Sequence, residues 1–382
     1  MQRDATERHR TVLLDGDPRA PQQARLGAAL AARGHRVIVL DAPEIVRQIE
    51  DEFGQRCEAL ERPLSGLGPA GWPMLVAAAR WRGVDVVHLN YLEPRQRPWT
   101  LPGAPPYVAT VWGSDLNTVD FPRTPTFIAQ IDRILAGAAA ITADSSPLLA
   151  MARQRAGPEA SEPSELVFWG VDTEAFDPAG QVEASEAMRH DLGIDEGELV
   201  LLAPRQIAPH YHADRVIEAF AQSTWPAQGV LVLKLHGKEG EQAARRQLQT
   251  LADGLGVGPR LRFAPRCPYD SLPAVYAMAD VGISALEADG VPSTFLELMA
   301  LEVPVVATEL PSYRGVLEPD RAMLVPAGDL ATMTAAFDRL CQDAPWRASL
   351  ATRAREWVVA HADWKGCVDR WEALYEQAIG AV

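Results

Sequence analysis

Short runs of Val, Leu, Ile and Ala recur along this chain, and most are separated by a stretch with helical spacing. That alternation is the pattern of parallel sheets joined by crossover helices. In the first half the predicted strands are 11–15, 36–40, 84–89, 107–112, 139–143 and 165–168, with helices such as 22–33 and 73–82 between them. A second series begins after a polar stretch that ends at Asp177-Pro178. Its strands are predicted at 199–203, 229–236, 260–264, 281–284, 303–308 and 322–325. The last sixty residues read as helix. Two doubly wound α/β domains follow, expected at 1–175 and 176–360, with 361–382 as a helix packing back on the first. In sheets of this kind ligands bind outside the carboxyl ends of the strands, so two facing domains are expected to define a central cleft.

Length and composition agree with two cores. At 382 residues the chain exceeds one ordinary core, and with 47% hydrophobic and 23% charged residues it has enough apolar surface to bury. The net charge of −15 argues against nucleic acid as a partner. No apolar run is long enough to span a bilayer, the polar start MQRDATERHR has no signal-peptide core, and Cys57, Cys267, Cys341 and Cys367 form no CxxC pair. A reducing cytoplasm is the expected location. The Pro-rich connection 90–106 is expected to be a surface loop.

The most informative segment is 288–308, ADGVPSTFLELMALEVPVVAT. A strand ending at Ser284 enters a Gly/Pro loop, and a helix begins near Ser293. The free N–H groups at Ser293 and Thr294 make that helix start a site for phosphate. Asp289 and Glu297 flank it, and carboxylates accept hydrogen bonds from ribose or sugar hydroxyls. A second reading is open for each. Thr294-Phe295-Leu296-Glu297 matches a capping box, and Asp289 before Gly290 suits an ordinary turn.

This segment resembles the donor-binding signature of retaining glycosyltransferases of the GT-B fold, family four: two acids separated by seven residues around a Gly/Pro loop, then a Val-rich strand. The resemblance extends to Gly34-His35-Arg36-Val37, to 84–88, to 108–115 (VATVWGSD), to Trp169-Gly170-Val171-Asp172, and to 272–284. It implies that Glu297 holds the ribose, that Asp289 meets the transferred sugar, and that Gly290, Ser293 and Thr294 line the donor site. Arg205, after a predicted strand, would neutralise the donor diphosphate. A surface arginine at a strand end is the other reading. Where relatives have a lysine this chain has His210-Tyr211-His212, and Lys238 is the candidate replacement. His88, Trp112, Gly113 and Asp115 would lie on the acceptor side, as would Asn90 and Tyr91, unless they are structural loop residues.

The reaction implied is transfer from a nucleotide sugar, a UDP-sugar being preferred, with retention and without cofactor or metal. No Asp-x-Asp pair is present, and His210, His212 and His236 lack an evident third ligand and acidic partner. The acceptor is a glycan, a lipid-linked sugar or a small natural product. Two alternatives stand beside this reading. An NAD-dependent oxidoreductase is disfavoured by Asp15-Gly16-Asp17-Pro18-Arg19 where GxGxxG belongs, and a non-catalytic nucleotide-sugar-binding protein is the other.

Overall fold

The computed structural model describes residues 9–16, 21–41, 43–62, 65–116, 122–158 and 163–381. The chain divides into two compact units, Met1–Trp169 with Lys365–Val382, and Gly170–Trp364.

The first unit holds β1 (Thr11–Gly16), β2 (Arg36–Leu40), β3 (Glu58–Leu60), β4 (Val86–Asn90), β5 (Tyr107–Val111), β6 (Ala140–Ala143) and β7 (Ser164–Leu166). They form one parallel sheet in the order β3-β2-β1-β4-β5-β6-β7. The central strands are apolar and buried along nearly their whole length, as strands covered on both faces must be. Strand β3 has no counterpart among the predicted strands, since three residues, Glu-Ala-Leu, are too few to show a period. The 90–106 connection also departs from expectation. It contains a 3₁₀ turn, Pro94–Thr100, in which Gln96 and Trp99 are buried. Their polar atoms find partners inside: Trp99 Nε1 donates to Asp15 Oδ2 at 2.7 Å and Gln96 Nε2 to the Asp15 carbonyl at 2.8 Å.

The helix Trp364–Gly380 contributes all but its first residue to this unit. Trp371 and Tyr375, four positions apart, share a face and are both fully buried. The Trp371 ring lies 4.8 Å from Trp169, and Glu372 accepts from Arg33 at 2.6 Å and pairs with His35 at 2.9 Å.

The second unit holds β8 (Leu199–Ala203), β9 (Gly229–Lys234), β10 (Leu261–Ala264), β11 (Val281–Ser284), β12 (Val305–Thr308) and β13 (Ala322–Val325). They are again all parallel, in the order β10-β9-β8-β11-β12-β13. Its core packs Trp225, Phe220 and Phe337 beside the sheet. The unit begins and ends on adjacent chain. Val171 pairs with Asp363, Val171 N donates to Ala362 O at 2.9 Å, and Trp364 N to Val171 O at 2.8 Å. That pairing sets the divisions at Trp169–Gly170 and Trp364–Lys365, displaced from the expected 175 and 360. Among the described residues no helix is long and apolar enough to cross a membrane.

Candidate functional site

Each sheet has one place where neighbouring strands leave in opposite directions along the order, between β1 and β4 in the first and between β8 and β11 in the second. Crossover helices diverge there and open a crevice at the carboxyl ends. In the second unit that crevice is lined by Ala203, Arg205, Gln206, Tyr211, Ser284 and Ala285. Arg205 follows β8 by two residues. Its Nη2 donates to Asp289 Oδ2 at 3.1 Å, and its guanidinium lies 5.1 Å from the Tyr211 ring centre. Arg205 Nε and Ser284 Oγ are buried without a partner. Two donors are therefore unspent where a ligand would enter.

Asp289 is enclosed by Arg205, the Gly290 N–H and the Tyr313 hydroxyl, which donates to Oδ2 at 3.4 Å. Burial raises the carboxyl above the usual carboxylate range, although all three contacts pull the other way. Asp289 is thus a working member of the arginine cluster and not a free turn residue.

The helix Ser293–Ala300 decides the capping question. Its cap residue is Pro292, and no side chain caps it. Glu297 is its fifth residue, whereas a capping box places the acid at the third. The capping reading is therefore overturned, and the leading N–H groups at Ser293 and Thr294 remain open to an anion. Glu297 is buried, and its charge is felt by the Tyr276 hydroxyl and by Lys234.

Lys234 is the residue that sequence reasoning missed. It ends β9, is 4% exposed, and its Nζ has only the Leu235 carbonyl at 3.5 Å. Burial lowers its pKa, against the pull of Cys267, Glu297 and Glu241. Lys238, the expected replacement, is exposed in the following loop and its side chain makes no hydrogen bond or ion pair. The signal for Lys234 was present in the sequence: one of three lysines among 33 arginines, set inside the apolar run GVLVLKLH. The His210 ring lies 4.2 Å from the Tyr211 ring at a tilt of 41°, and it is one of the groups acting on Asp289, so it belongs to the arginine cluster.

In the first unit two expected acceptor contacts prove structural. His88 has no exposed surface, and both ring nitrogens are used, on Tyr375 Oη at 2.5 Å and Thr110 Oγ1 at 2.7 Å. Burial pushes its pKa down to about 3. Asp115 is buried and accepts from the N–H groups of Leu92, Trp112 and Gly113. The positive φ of Gly113, 112°, turns that loop back on the carboxylate. Neither side chain can reach a ligand. Trp112 remains half-exposed, against Tyr91 and Trp169, with its indole N–H unpartnered.

Two parallel Rossmann-like sheets with this cluster after the second define a glycosyltransferase of the GT-B class. Family models account for most of the chain: "Glycosyltransferase Family 4" matches 23–175 and "Glycosyl transferases group 1" matches 184–357. The chain belongs to the group 1 glycosyltransferases of family four. It is 28% identical to the D-inositol 3-phosphate glycosyltransferase of Thermomonospora curvata, over 81% of this chain and 69% of that protein. It is 27% identical to the GDP-mannose-dependent alpha-(1-6)-phosphatidylinositol monomannoside mannosyltransferase of Mycobacterium tuberculosis, over 72% and 70%. The fold is similar to that of Anabaena HepE in complex with UDP-glucose, with a TM-score of 0.79 over 98% of this chain and 100% of that one, at 16% identity.

Proposed function

We propose that this chain transfers a hexose from a nucleotide sugar bound on the second unit, UDP-linked in preference to GDP-linked, to a hydroxyl of an acceptor bound on the first. The observation that carries the reading is the Arg205–Asp289 pair with its unspent Nε, beside an uncapped helix that buries Glu297. In transfer the acceptor hydroxyl oxygen bonds to the anomeric carbon as the bond from that carbon to the β-phosphate oxygen breaks. Negative charge accumulates on the departing diphosphate, and the hydroxyl proton passes to it. The Arg205 guanidinium and the N–H groups of Ser293 and Thr294 answer that charge. Glu297 accepts from the ribose hydroxyls, and Asp289, held by Arg205 and Tyr313, orients the sugar. No divalent cation has a role, because the arginine supplies the charge. The anomeric configuration is retained. HepE, crystallised with UDP-glucose, supports the choice of UDP.

A thermal-shift panel of UDP, GDP, their hexose conjugates and NAD(H), each with and without EDTA, tests the proposal. Stabilisation by a uridine nucleotide that survives EDTA is the expected result. A response to NAD(H) alone would overturn it, and one that needs added magnesium or manganese would overturn the metal-free part.

A further inference from the structure

We infer that the crevice of the first unit binds a neutral, polyhydroxylated acceptor through the side-chain amides of Gln23 and Asn90, and does not select a phosphorylated one. The inference rests on the proposed transferase reading for the word acceptor, but its chemistry comes from the first unit alone. Gly16 ends β1 and Asn90 ends β4, directly opposite each other in register at the point where the sheet order reverses. Gln23 stands in the first turn of the helix Pro21–Ala32 that follows β1. A Cβ placed on Gly16 would fall 2.2 Å from Gln23 Oε1 and 2.7 Å from Asn90 Cβ, so only a glycine lets both residues come this close to the strand end. Both amides are fully buried, and none of their four polar atoms has a hydrogen-bond partner. On the neighbouring strand end the Trp112 indole N–H is also unpartnered.

Buried amides without partners weaken a fold, and two beside one glycine at the carboxyl edge where the sheet order reverses point to a ligand that completes them. An amide offers one acceptor and one donor group, which suits hydroxyls that both give and take hydrogen bonds. A phosphate would need cations, and among the described residues Arg62 and Arg95 are already paired. Arg62 pairs with Asp15 at 2.9 Å and also with Asp41. Arg95 pairs with Glu93 at 2.5 Å and donates to the Gly16 carbonyl at 2.7 Å. His88 is neutral, and Asp115 already fills the N–H cradle of Trp112 and Gly113. Arg123 stands at the exposed rim, over the Phe127 ring and within 3.4 Å of the Tyr91 hydroxyl.

The test is calorimetric titration of the full chain with myo-inositol and methyl α-glucoside, each beside its phosphate ester, with UDP present or absent. At least one neutral polyol is expected to bind, with no more than a threefold gain from the ester. Gln23→Met and Asn90→Leu are each expected to weaken the polyol tenfold or more while UDP affinity and melting temperature hold or rise. No binding of either polyol, or an ester favoured tenfold, overturns the inference, as does unchanged polyol affinity in both folded variants. The ester comparison uses the unaltered protein, so it stands even if a variant does not fold. Absence of UDP and GDP binding would instead strike the transferase reading and leave the polyol result to be judged by itself.

Discussion

The two units carry the same type of sheet and leave opposite chemistry at its carboxyl edge. In the first, ionised groups are closed on one another: Asp15 on Arg62, Asp41 on the same arginine, Asp115 on three backbone N–H groups. Among the described residues, the buried side-chain groups there without a hydrogen-bond partner include the neutral amides of Gln23 and Asn90 and the Trp112 indole N–H. In the second, a cation keeps a free N–H, a buried lysine has a carbonyl at 3.5 Å as its hydrogen-bond partner, and a helix start goes uncapped. An unpaired buried group costs stability whichever half it sits in. The contrast between a charged donor and neutral amides is what the two proposals rest on, an anionic ligand for the second unit and a neutral one for the first.

The largest expected effect removes the open cation. Arg205→Ala should lower turnover by about a hundredfold or more, the loss typical when a group that stabilises developing charge is deleted. The melting temperature should barely change. Steady-state kinetics beside a melting curve separates the two, and equal loss of both would return Arg205 to a structural role and break the comparison.

Next is Glu297→Gln. An amide offers one acceptor oxygen where the carboxylate offers two, so about 1.5–3 kcal/mol should be lost, a nucleotide roughly ten- to a hundredfold weaker. Because Glu297 lies at the fifth position of its helix, the substitution removes no cap and stability should hold. Titration with UDP and GDP measures it, and unchanged affinity for the preferred nucleotide would remove the ribose role.

The closed half makes a prediction about pH. His88 is held neutral, its pKa pushed down from 6.5 to about 3 by burial. The unfolded chain therefore binds a proton that the folded chain refuses, and stability is lost as pH falls from 6.5 toward 3. The slope is about 1.4 kcal/mol per pH unit at most. His88→Gln keeps a hydrogen-bonding side chain without the titration, so denaturant melts at pH 7 and 5 should differ less in the variant. Equal differences would mean that His88 is hydrated and open.

The smallest effect belongs to Lys234→Met. Burial disfavours the ammonium, so the variant should melt at the same temperature or higher, while nucleotide affinity drops a few-fold through loss of a positive charge near Glu297. Calorimetry with UDP and with uridine distinguishes a phosphate partner from a sugar or base partner. No change with either would leave the lysine outside the donor site.

Much of this was legible before folding. Among the described residues, twelve of the thirteen strands lie inside predicted runs or within one residue of them, because strands buried on both faces must be largely apolar. Asp289 and Glu297 were legible too, since their spacing straddles a loop and a helix start whatever the surroundings. Strand β3 and the buried Pro94–Thr100 turn were not. One is too short to carry a pattern, and the other is polar and Pro-rich yet buried because Asp15, far off in sequence, accepts its donors.

The sequence by itself determined the two parallel sheets, their strands, and which acids bracket the donor loop, for these depend on local apolar runs and on residues close in the chain. Tertiary structure alone decided which polar groups are spent. His88 and Asp115 looked like site residues until Tyr375, Thr110 and the loop N–H groups satisfied them. Lys234, Gln23 and Asn90 gained their interest only because folding buried them and brought no full partner. Whether a polar side chain is satisfied depends on atoms tens or hundreds of residues away, and no local pattern encodes that.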